Sequence, residues 1–293
     1  MNSTNHNNAP GFRAIRWNMD WITRPLFGLA LAAIAVGVLF SAPLYFACLV
    51  VAISIPASLE WHRMVAGRIW MAGSAVTVLV VAASVAALMF RGDIWLPLLL
   101  TMLGAGIVGM MSLKRAHPLW HSFGVLYLTL PNLALVALRT FAQGDASALG
   151  LSEGALVIIG LFFIVWTTDS GALVCGNLIG GPRLSPRLSP GKTWAGTIGG
   201  SVVAALVFGF YIRSIGGAAM AAGLFAFFFS AVAHGGDLFE SFVKRRFGVK
   251  NSGALIPGHG GVLDRMDSTI TASIVLALLI FVAGFDPLFG AHP

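Results

Sequence analysis

Charged residues are scarce in this chain, and their scarcity excludes an ordinary soluble domain. Only 10% of the 293 residues are Asp, Glu, Lys or Arg, whereas 57% are hydrophobic. The mean hydropathy is +0.87. Soluble globular domains have about 25% charged residues, so this composition predicts an integral membrane protein.

Cysteine is almost absent, which excludes two further kinds of structure. Cys48 and Cys175 lie in or beside apolar runs and lack the CxxC or Cys/His spacing of a zinc site. Two such residues do not define a disulfide framework either. Both are interpreted as small buried hydrophobic residues.

The chain also lacks a secretory signal and a recognisable nucleic-acid-binding module. Its first residues, MNSTNHNNAPGF, do not have the basic-then-apolar order of a signal peptide. Basic loops between membrane spans explain the net charge of +7, so no nucleic-acid partner is predicted. Residues 1–24 are interpreted as a polar cytoplasmic segment and residues 25–293 as a single membrane domain.

Apolar runs, by contrast, are abundant, and nine of them approach the length that spans a bilayer. They predict an all-α, polytopic integral membrane protein with about nine transmembrane helices. The runs cover residues 25–40, 43–59, 69–90, 95–112, 121–141, 153–175, 194–214, 216–233 and 268–288.

The loop charges predict the orientation, because Lys and Arg accumulate on the cytoplasmic side of membrane proteins. With a cytoplasmic N-terminus, all 18 Lys and Arg residues except Arg91, Arg139 and Arg213 fall on the cytoplasmic side. Nine spans then place the C-terminus on the opposite side. The size of the chain and its lack of targeting signals favour a bacterial cytoplasmic (inner) membrane.

A polar cluster interrupts the apolar sequence between residues 235 and 268. It contains four of the eleven acids, namely Asp237, Glu240, Asp264 and Asp267. Asp237 stands at the predicted end of an apolar helix, and the spacing of Asp264 and Asp267 places both on one helix face. If the two segments meet, Asp237 and Asp264 offer oxygens suited to Mg²⁺. The alternative is surface ion pairing with the neighbouring Lys and Arg residues.

The turn PGHGG at residues 257–261 lies between these acids. Its glycines allow backbone N–H groups to approach an anion. His259 can donate to a phosphate, while Arg265 offers a fork of donors and Lys250 a mobile charge. The combination predicts a phosphate site beside a metal ion.

A second basic cluster lies at residues 180–200. It contains GKT, but the Gly that a P-loop needs five residues earlier is Pro186. Ser189, Lys192 and Thr193 can still contact phosphate from a cytoplasmic loop that enters a helix N-terminus. The alternative is an ordinary positively charged loop.

Two further features lie inside predicted spans. Asp169 is an acid in an apolar run, and such an acid is either functional or paired to maintain the helix bundle. Both interpretations are open. Gly196 and Gly200 form a GxxxG pattern, which indicates close helix packing more often than a dimer interface.

The two polar clusters together form a long signature. It reads Ser241-x-x-Lys244-Arg245, then Lys250, then Pro257-x-His259-Gly260-Gly261-x-x-Asp264-Arg265-x-Asp267. Shorter matching segments are residues 236–241 (GDLFES) and Ser189-Pro190-x-Lys192-Thr193-Trp194. This signature resembles that of the phosphatidate cytidylyltransferases, or CDP-diacylglycerol synthases, and the resemblance extends from about residue 60 to residue 293.

The resemblance implies an enzyme that joins CTP to phosphatidate, releases pyrophosphate and leaves CDP-diacylglycerol in the membrane. The expected cofactor is Mg²⁺, with a second cation left open, and the expected metal ligands are Asp237, Asp264 and Asp267. Catalytic roles are expected for Asp237, Asp264, Lys250 and Arg265. Nucleotide contacts are expected for Ser189, Lys192, Thr193, Lys244, His259, Gly260 and Gly261. The expected partners are CTP, a lipid phosphate and membrane lipids, with a homodimer left open.

One departure from the family pattern bears on function. Asn251 stands where the signature usually has Asp, and Asn keeps the shape of Asp but cannot neutralise a cation. Three alternatives to the phosphatidate reaction are kept, of which only the inactive relative rests on Asn251 alone. They are a related enzyme that activates another lipid or polyprenol phosphate with CTP, an inactive relative, and a membrane transporter or scaffold.

Overall fold

The structure is a computed structural model that describes residues 36–141, 150–253 and 260–290. In this part of the chain, residues 36–39 are helical, and eight longer helices and one two-stranded hairpin follow. The elements are α1 (Pro43–Ala66), α2 (Met71–Arg91), α3 (Trp95–Met111), α4 (Pro118–Arg139), α5 (Glu153–Ile179), β1 (Arg183–Ser185), β2 (Ser189–Thr193), α6 (Trp194–Ser214), α7 (Ala219–Arg246) and α8 (Leu263–Phe281).

Six of these helices, α1, α2, α4, α5, α6 and α7, are long and apolar enough to cross a membrane. Helix α3 is shorter at 17 residues, and the first turns of α8 carry three charged side chains. Large apolar side chains such as Phe90 and Phe210 are strongly exposed on the helix surfaces, as expected where helices meet lipid. The predicted all-α, multi-pass membrane architecture is confirmed.

The predicted runs from 43–59 onward each fall on a helix of the structure. The run 25–40 lies largely outside the described residues, and the polar segment 1–24 lies entirely outside them. The count of nine spans and the sides of the two termini therefore stay predictions.

Two local expectations are wrong. Cys48 is exposed and Cys175 is half-buried, because an apolar thiol is as compatible with lipid as with a protein core.

The helix that was predicted to end at Asp237 continues to Arg246. Apolar residues at helical spacing extend it, since Phe239 packs against Tyr127 with tilted rings whose centroids are 5.7 Å apart, and Val243 is fully buried.

Helices α5 and α6 approach each other closely through glycines. A Cβ atom placed on Gly200 would lie 3.0 Å from the Ala172 backbone nitrogen, and one on Gly196 would lie 2.7 Å from the Ala172 carbonyl oxygen. A Cβ atom on Gly171 would likewise lie 3.0 Å from the Gly200 Cα atom. The GxxxG pattern therefore serves packing within the chain, as expected, and it holds α5 against the start of α6.

The hairpin leads the chain into α6. Strands β1 and β2 pair antiparallel, with Arg183 opposite Thr193 and Ser185 opposite Ser189. Thr193 then caps α6, because its hydroxyl oxygen accepts a hydrogen bond from the Gly196 N–H at 3.0 Å. The expectation that this loop enters a helix N-terminus is confirmed, although the strand pairing was not predicted.

Candidate active site

The hairpin brings Lys192 to Asp237. Lys192 lies in β2 immediately before α6, and Asp237 lies on α7. The two side chains form an ion pair, and each is about one-quarter exposed, at 24% and 25%. Both side chains are therefore partly accessible, whereas the Lys192 Nζ atom itself is buried in the pair.

Two acids from other helices lie near this ion pair. Asp169 on α5 interacts electrostatically with Asp237 and Lys192, and Asp267 on α8 interacts with Asp237 and Asp169. The Ser268 hydroxyl links the two helices, because it lies 3.5 Å from Asp169 Oδ1. We call Asp169, Asp237 and Asp267 the acid cluster.

The acid cluster concentrates negative charge. Asp267 lies at the start of α8, ahead of the predicted span, and its burial together with the charges of Asp237 and Asp169 raises its pKa to about 7. Like charges that share a site disfavour ionisation. Lys192 offsets part of this charge, and a further cation would offset more.

A glycine allows this convergence. A Cβ atom on Gly236 would lie 2.7 Å from the Asp267 carbonyl oxygen and 3.0 Å from Thr271 Cβ. Only a residue without a side chain lets α7 and α8 approach this closely. The residue that follows, Asp237, is thereby brought to the start of α8.

Asp264 does not join the acid cluster directly but occupies a hydrogen-bonded position beside it. Its Oδ1 accepts from the Lys244 ammonium at 2.7 Å, and its Oδ2 accepts from the backbone N–H groups of Gly261 at 2.8 Å and Ser252 at 3.0 Å. Burial alone would raise the pKa of Asp264, but these bonds and the Lys244 charge lower it below its ordinary value. Asp264 is therefore held as a carboxylate.

Lys244 lies between two acids of different helices. Besides Asp264, its ammonium is 3.2 Å from Glu240 Oε1, one helical turn earlier on α7. The Lys244 side chain is only 12% exposed. Lys244 therefore connects α7 to α8 through its ion pairs with Glu240 and Asp264. Its contact with nucleotide stays a prediction.

Glu60 is a site residue that the sequence analysis missed. It lies near the end of α1, is 6% exposed, and accepts hydrogen bonds from the backbone N–H groups of Val262 and Leu263 at the start of α8. The signal that singles out Asp169, an acid among apolar residues, was available here as well. It was overlooked because the predicted run 43–59 stops one residue earlier, whereas α1 continues to Ala66.

The other expected site residues differ in their exposure. Lys250, Asn251 and Arg265 are exposed, and Ser189 is partly buried. Gly260 has the positive φ of 86° that favours glycine, and Gly261 donates to Asp264. His259 lies outside the described residues. The roles expected for these residues stay predictions.

The expected metal ligands fit a divalent cation in kind. Carboxylate oxygens are the ligands that Mg²⁺ prefers, and Asp264 Oδ1 keeps a lone pair beyond its bond to Lys244. Within the described residues, however, no three His, Cys, Asp or Glu side chains converge closely enough to hold a metal ion. The metal site of Asp237, Asp264 and Asp267 is therefore kept as a proposal.

Comparison with known proteins decides the family. The model of the cytidylyltransferase family matches residues 22–283. The chain belongs to the cytidylyltransferase family. All the site residues described above lie within the matched range.

Several relatives carry the name phosphatidate cytidylyltransferase. The protein from Brucella suis is 42% identical over 161 residues, which are 54% of this chain and 56% of the relative. The protein from Haemophilus influenzae is 41% identical over 129 residues, or 42% of this chain and 44% of the relative. The protein from Rickettsia felis is 33% identical over 185 residues, or 58% of this chain and 77% of the relative. The chain thus spans little more than half the length of the Brucella relative.

Proposed function

We propose that this chain transfers a cytidylyl group from CTP to phosphatidate, which yields CDP-diacylglycerol and pyrophosphate. Family membership supports cytidylyl transfer, and the names of the relatives support phosphatidate as the acceptor. The observation that carries the proposal is the acid cluster with Lys192 paired to Asp237. Carboxylates and a lysine are the kinds of group that bind a divalent cation and a phosphate chain, respectively.

The proposed reaction is an in-line displacement. An oxygen of the lipid phosphate attacks the α-phosphorus of CTP, and the bond from that phosphorus to the oxygen shared with the β-phosphate breaks. Pyrophosphate leaves with the bond electrons. A phosphate monoester is already anionic near neutral pH, so the site needs no strong general base.

The residues of the chain position the substrates and neutralise their charge. Lys192 and Arg265 would contact phosphate oxygens, because Lys192 lies at the acid cluster and Arg265 interacts electrostatically with Asp169. Asp237 and Asp267, with the free lone pair of Asp264, would hold Mg²⁺, which neutralises charge on the pyrophosphate when bound. Positioning and neutralisation are the main sources of catalysis in this type of transfer.

The direct test is CDP-lipid formation by the purified chain in detergent, with phosphatidate and labelled CTP, with and without Mg²⁺. We expect Asp237→Asn to lower the rate by at least about 100-fold. The matched control is Asp93→Asn, which changes an exposed acid paired with Arg91 far from the acid cluster. Near-normal turnover in Asp237→Asn would contradict the site, and a clear preference for another lipid phosphate would contradict the substrate.

We also propose nine membrane spans, a cytoplasmic N-terminus and a cytoplasmic site in a bacterial inner membrane. The uneven distribution of Lys and Arg between the loops supports this orientation. The exposed Arg187, Arg245 and Lys250 all lie at the end of the helices that carries the acid cluster. CTP is a cytoplasmic metabolite, and the proposed side gives it direct access.

A further inference from the structure

Glu60 is buried next to the proposed site but has no part in the proposed chemistry. Its residue exposure is 6%. Among the residues that the structure describes, no Lys or Arg forms an ion pair with it. A buried carboxylate is costly unless hydrogen bonds satisfy it, so the groups that face Glu60 indicate what it does.

Those groups are backbone N–H donors at the start of α8. The Val262 N–H donates to Glu60 Oε1 and the Leu263 N–H donates to Oε2, both at 2.9 Å. The first N–H groups of a helix have no partner within the helix, and its N-terminus attracts negative charge. A side chain of α1 therefore caps α8 across some 200 residues of sequence.

Glu60 also shares a donor with Asp264. The Ser252 hydroxyl lies 3.2 Å from Glu60 Oε2 and 3.0 Å from Asp264 Oδ2. A hydroxyl has one hydrogen, so the two carboxylates compete for it. The position of the Glu60 carboxylate therefore bears directly on the hydrogen bonding of Asp264.

The surroundings of Glu60 allow little displacement. A Cβ atom on either Gly253 or Gly261 would lie 2.7 Å from Glu60 Cδ, so both glycines make room for this carboxylate. The next residue, Trp61, is fully buried, and its Nε1–H donates to the Trp120 carbonyl on α4 at 2.9 Å. Glu60 thus projects from a helix that is fixed on its other side.

We propose that Glu60 is a positioning residue. Its carboxylate sets the N-terminus of α8 and, through Ser252, orients Asp264 for the metal ion and the phosphates of CTP. This inference rests on the proposed function. It assigns Glu60 no contact with either substrate.

The test compares Glu60→Gln with wild type in two measurements. The first is the rise in melting temperature on titration with CTP and Mg²⁺ in detergent, which needs no turnover. The second is the KM for CTP against kcat. Gln keeps the shape of Glu but places a donor against a backbone donor. We expect the CTP concentration for half of the thermal shift, and the KM, to rise about 10-fold or more.

Two further variants make the result specific. Ser58→Ala on the same helix removes a buried hydroxyl that donates only to the Ile55 carbonyl, and it should leave the CTP titration unchanged. Gly253→Ala keeps the acid but displaces it, and it should reproduce the effect of Glu60→Gln. A lower melting temperature in Glu60→Gln with an unchanged CTP titration would overturn the proposal.

Loss of the folded state in both Glu60→Gln and Gly253→Ala would also overturn it, because Glu60 would then serve only stability. The failure of the proposed function looks different. In that case wild type itself would form no CDP-lipid from CTP and phosphatidate, whatever the variants do. The thermal titration would still report whether Glu60 affects nucleotide binding.

Discussion

Asp169 is an acid inside an apolar helix, and its charged neighbours indicate what it does. The acid interacts with Asp237 and Lys192, so its charge acts on the proposed metal site. We expect Asp169→Asn to lower activity about 10- to 100-fold and to raise the Mg²⁺ concentration needed for half-maximal rate. The measurement is the rate of CDP-lipid formation over a range of Mg²⁺ concentrations. Ser268→Ala removes the adjacent hydroxyl but no charge, and it should change the Mg²⁺ dependence little; equal behaviour of the two variants would refute a role for the charge.

Thr193 shows how a residue in a functional motif can serve local structure. Its hydroxyl oxygen caps α6 by accepting the Gly196 N–H. Thr193→Ala should lower the stability by about 1 kcal/mol, whereas Thr193→Asn should keep it because Asn is a good N-cap. The check is the melting temperature in detergent. Thr197→Ala is the control, since its hydroxyl donates to the backbone carbonyl of Thr193 and caps no N–H group. A Thr193→Ala protein that melts at the wild-type temperature would refute the cap.

At the scale of the helices, Gly236 decides how close α7 and α8 come. A methyl group there would meet the Asp267 carbonyl oxygen at 2.7 Å, which forces the helices apart and moves Asp237 away from Asp267. We expect Gly236→Ala to lower both the melting temperature and the rate of CDP-lipid formation. Gly235→Ala meets nothing within 4 Å and should be as stable as wild type or better, because Ala favours helix by about 1 kcal/mol over Gly. If the two variants behave alike, close approach at Gly236 does not build the site.

The helices could be predicted from the sequence because each needs only a local apolar run. The acid cluster could be predicted only in part, since spacing places Asp267 on one helix with Asp264 but does not show that Asp169 and Asp237 meet Asp267. The role of Glu60 could not be predicted, because its partners Val262 and Leu263 lie about 200 residues away. The end of α7 was misplaced for a related reason. Charged residues suggested a loop, whereas α7 continues through them and its Lys244 forms ion pairs with Glu240 and with Asp264 of α8.

For the molecule as a whole, most of the basic residues that the structure describes lie at one end of the helices, with Arg91, Arg139 and Arg213 as exceptions. The hairpin, the end of α7 and the start of α8 meet there, as the ion pair of Lys192 with Asp237 and the contact of Arg245 with the Leu188 carbonyl show. Such an arrangement suits a reaction between a water-soluble nucleotide and a lipid that stays in the membrane. The acidic centre would repel CTP by itself, and the basic residues at its rim offset that repulsion.

The orientation of the molecule can be tested with single cysteines. After Cys48 and Cys175 are replaced by Ala, Arg187→Cys marks the end with the acid cluster and Arg213→Cys marks the opposite end of α6; both arginines are exposed. A membrane-impermeant maleimide should label Arg213→Cys in right-side-out vesicles and Arg187→Cys in inside-out vesicles. The reverse pattern would place the acid cluster away from CTP and refute the proposed orientation. Lys and Arg favour the cytoplasmic side of a membrane protein. Replacing Arg187 alone should not invert the protein, because Arg183, Arg245 and Lys250 remain at the same end.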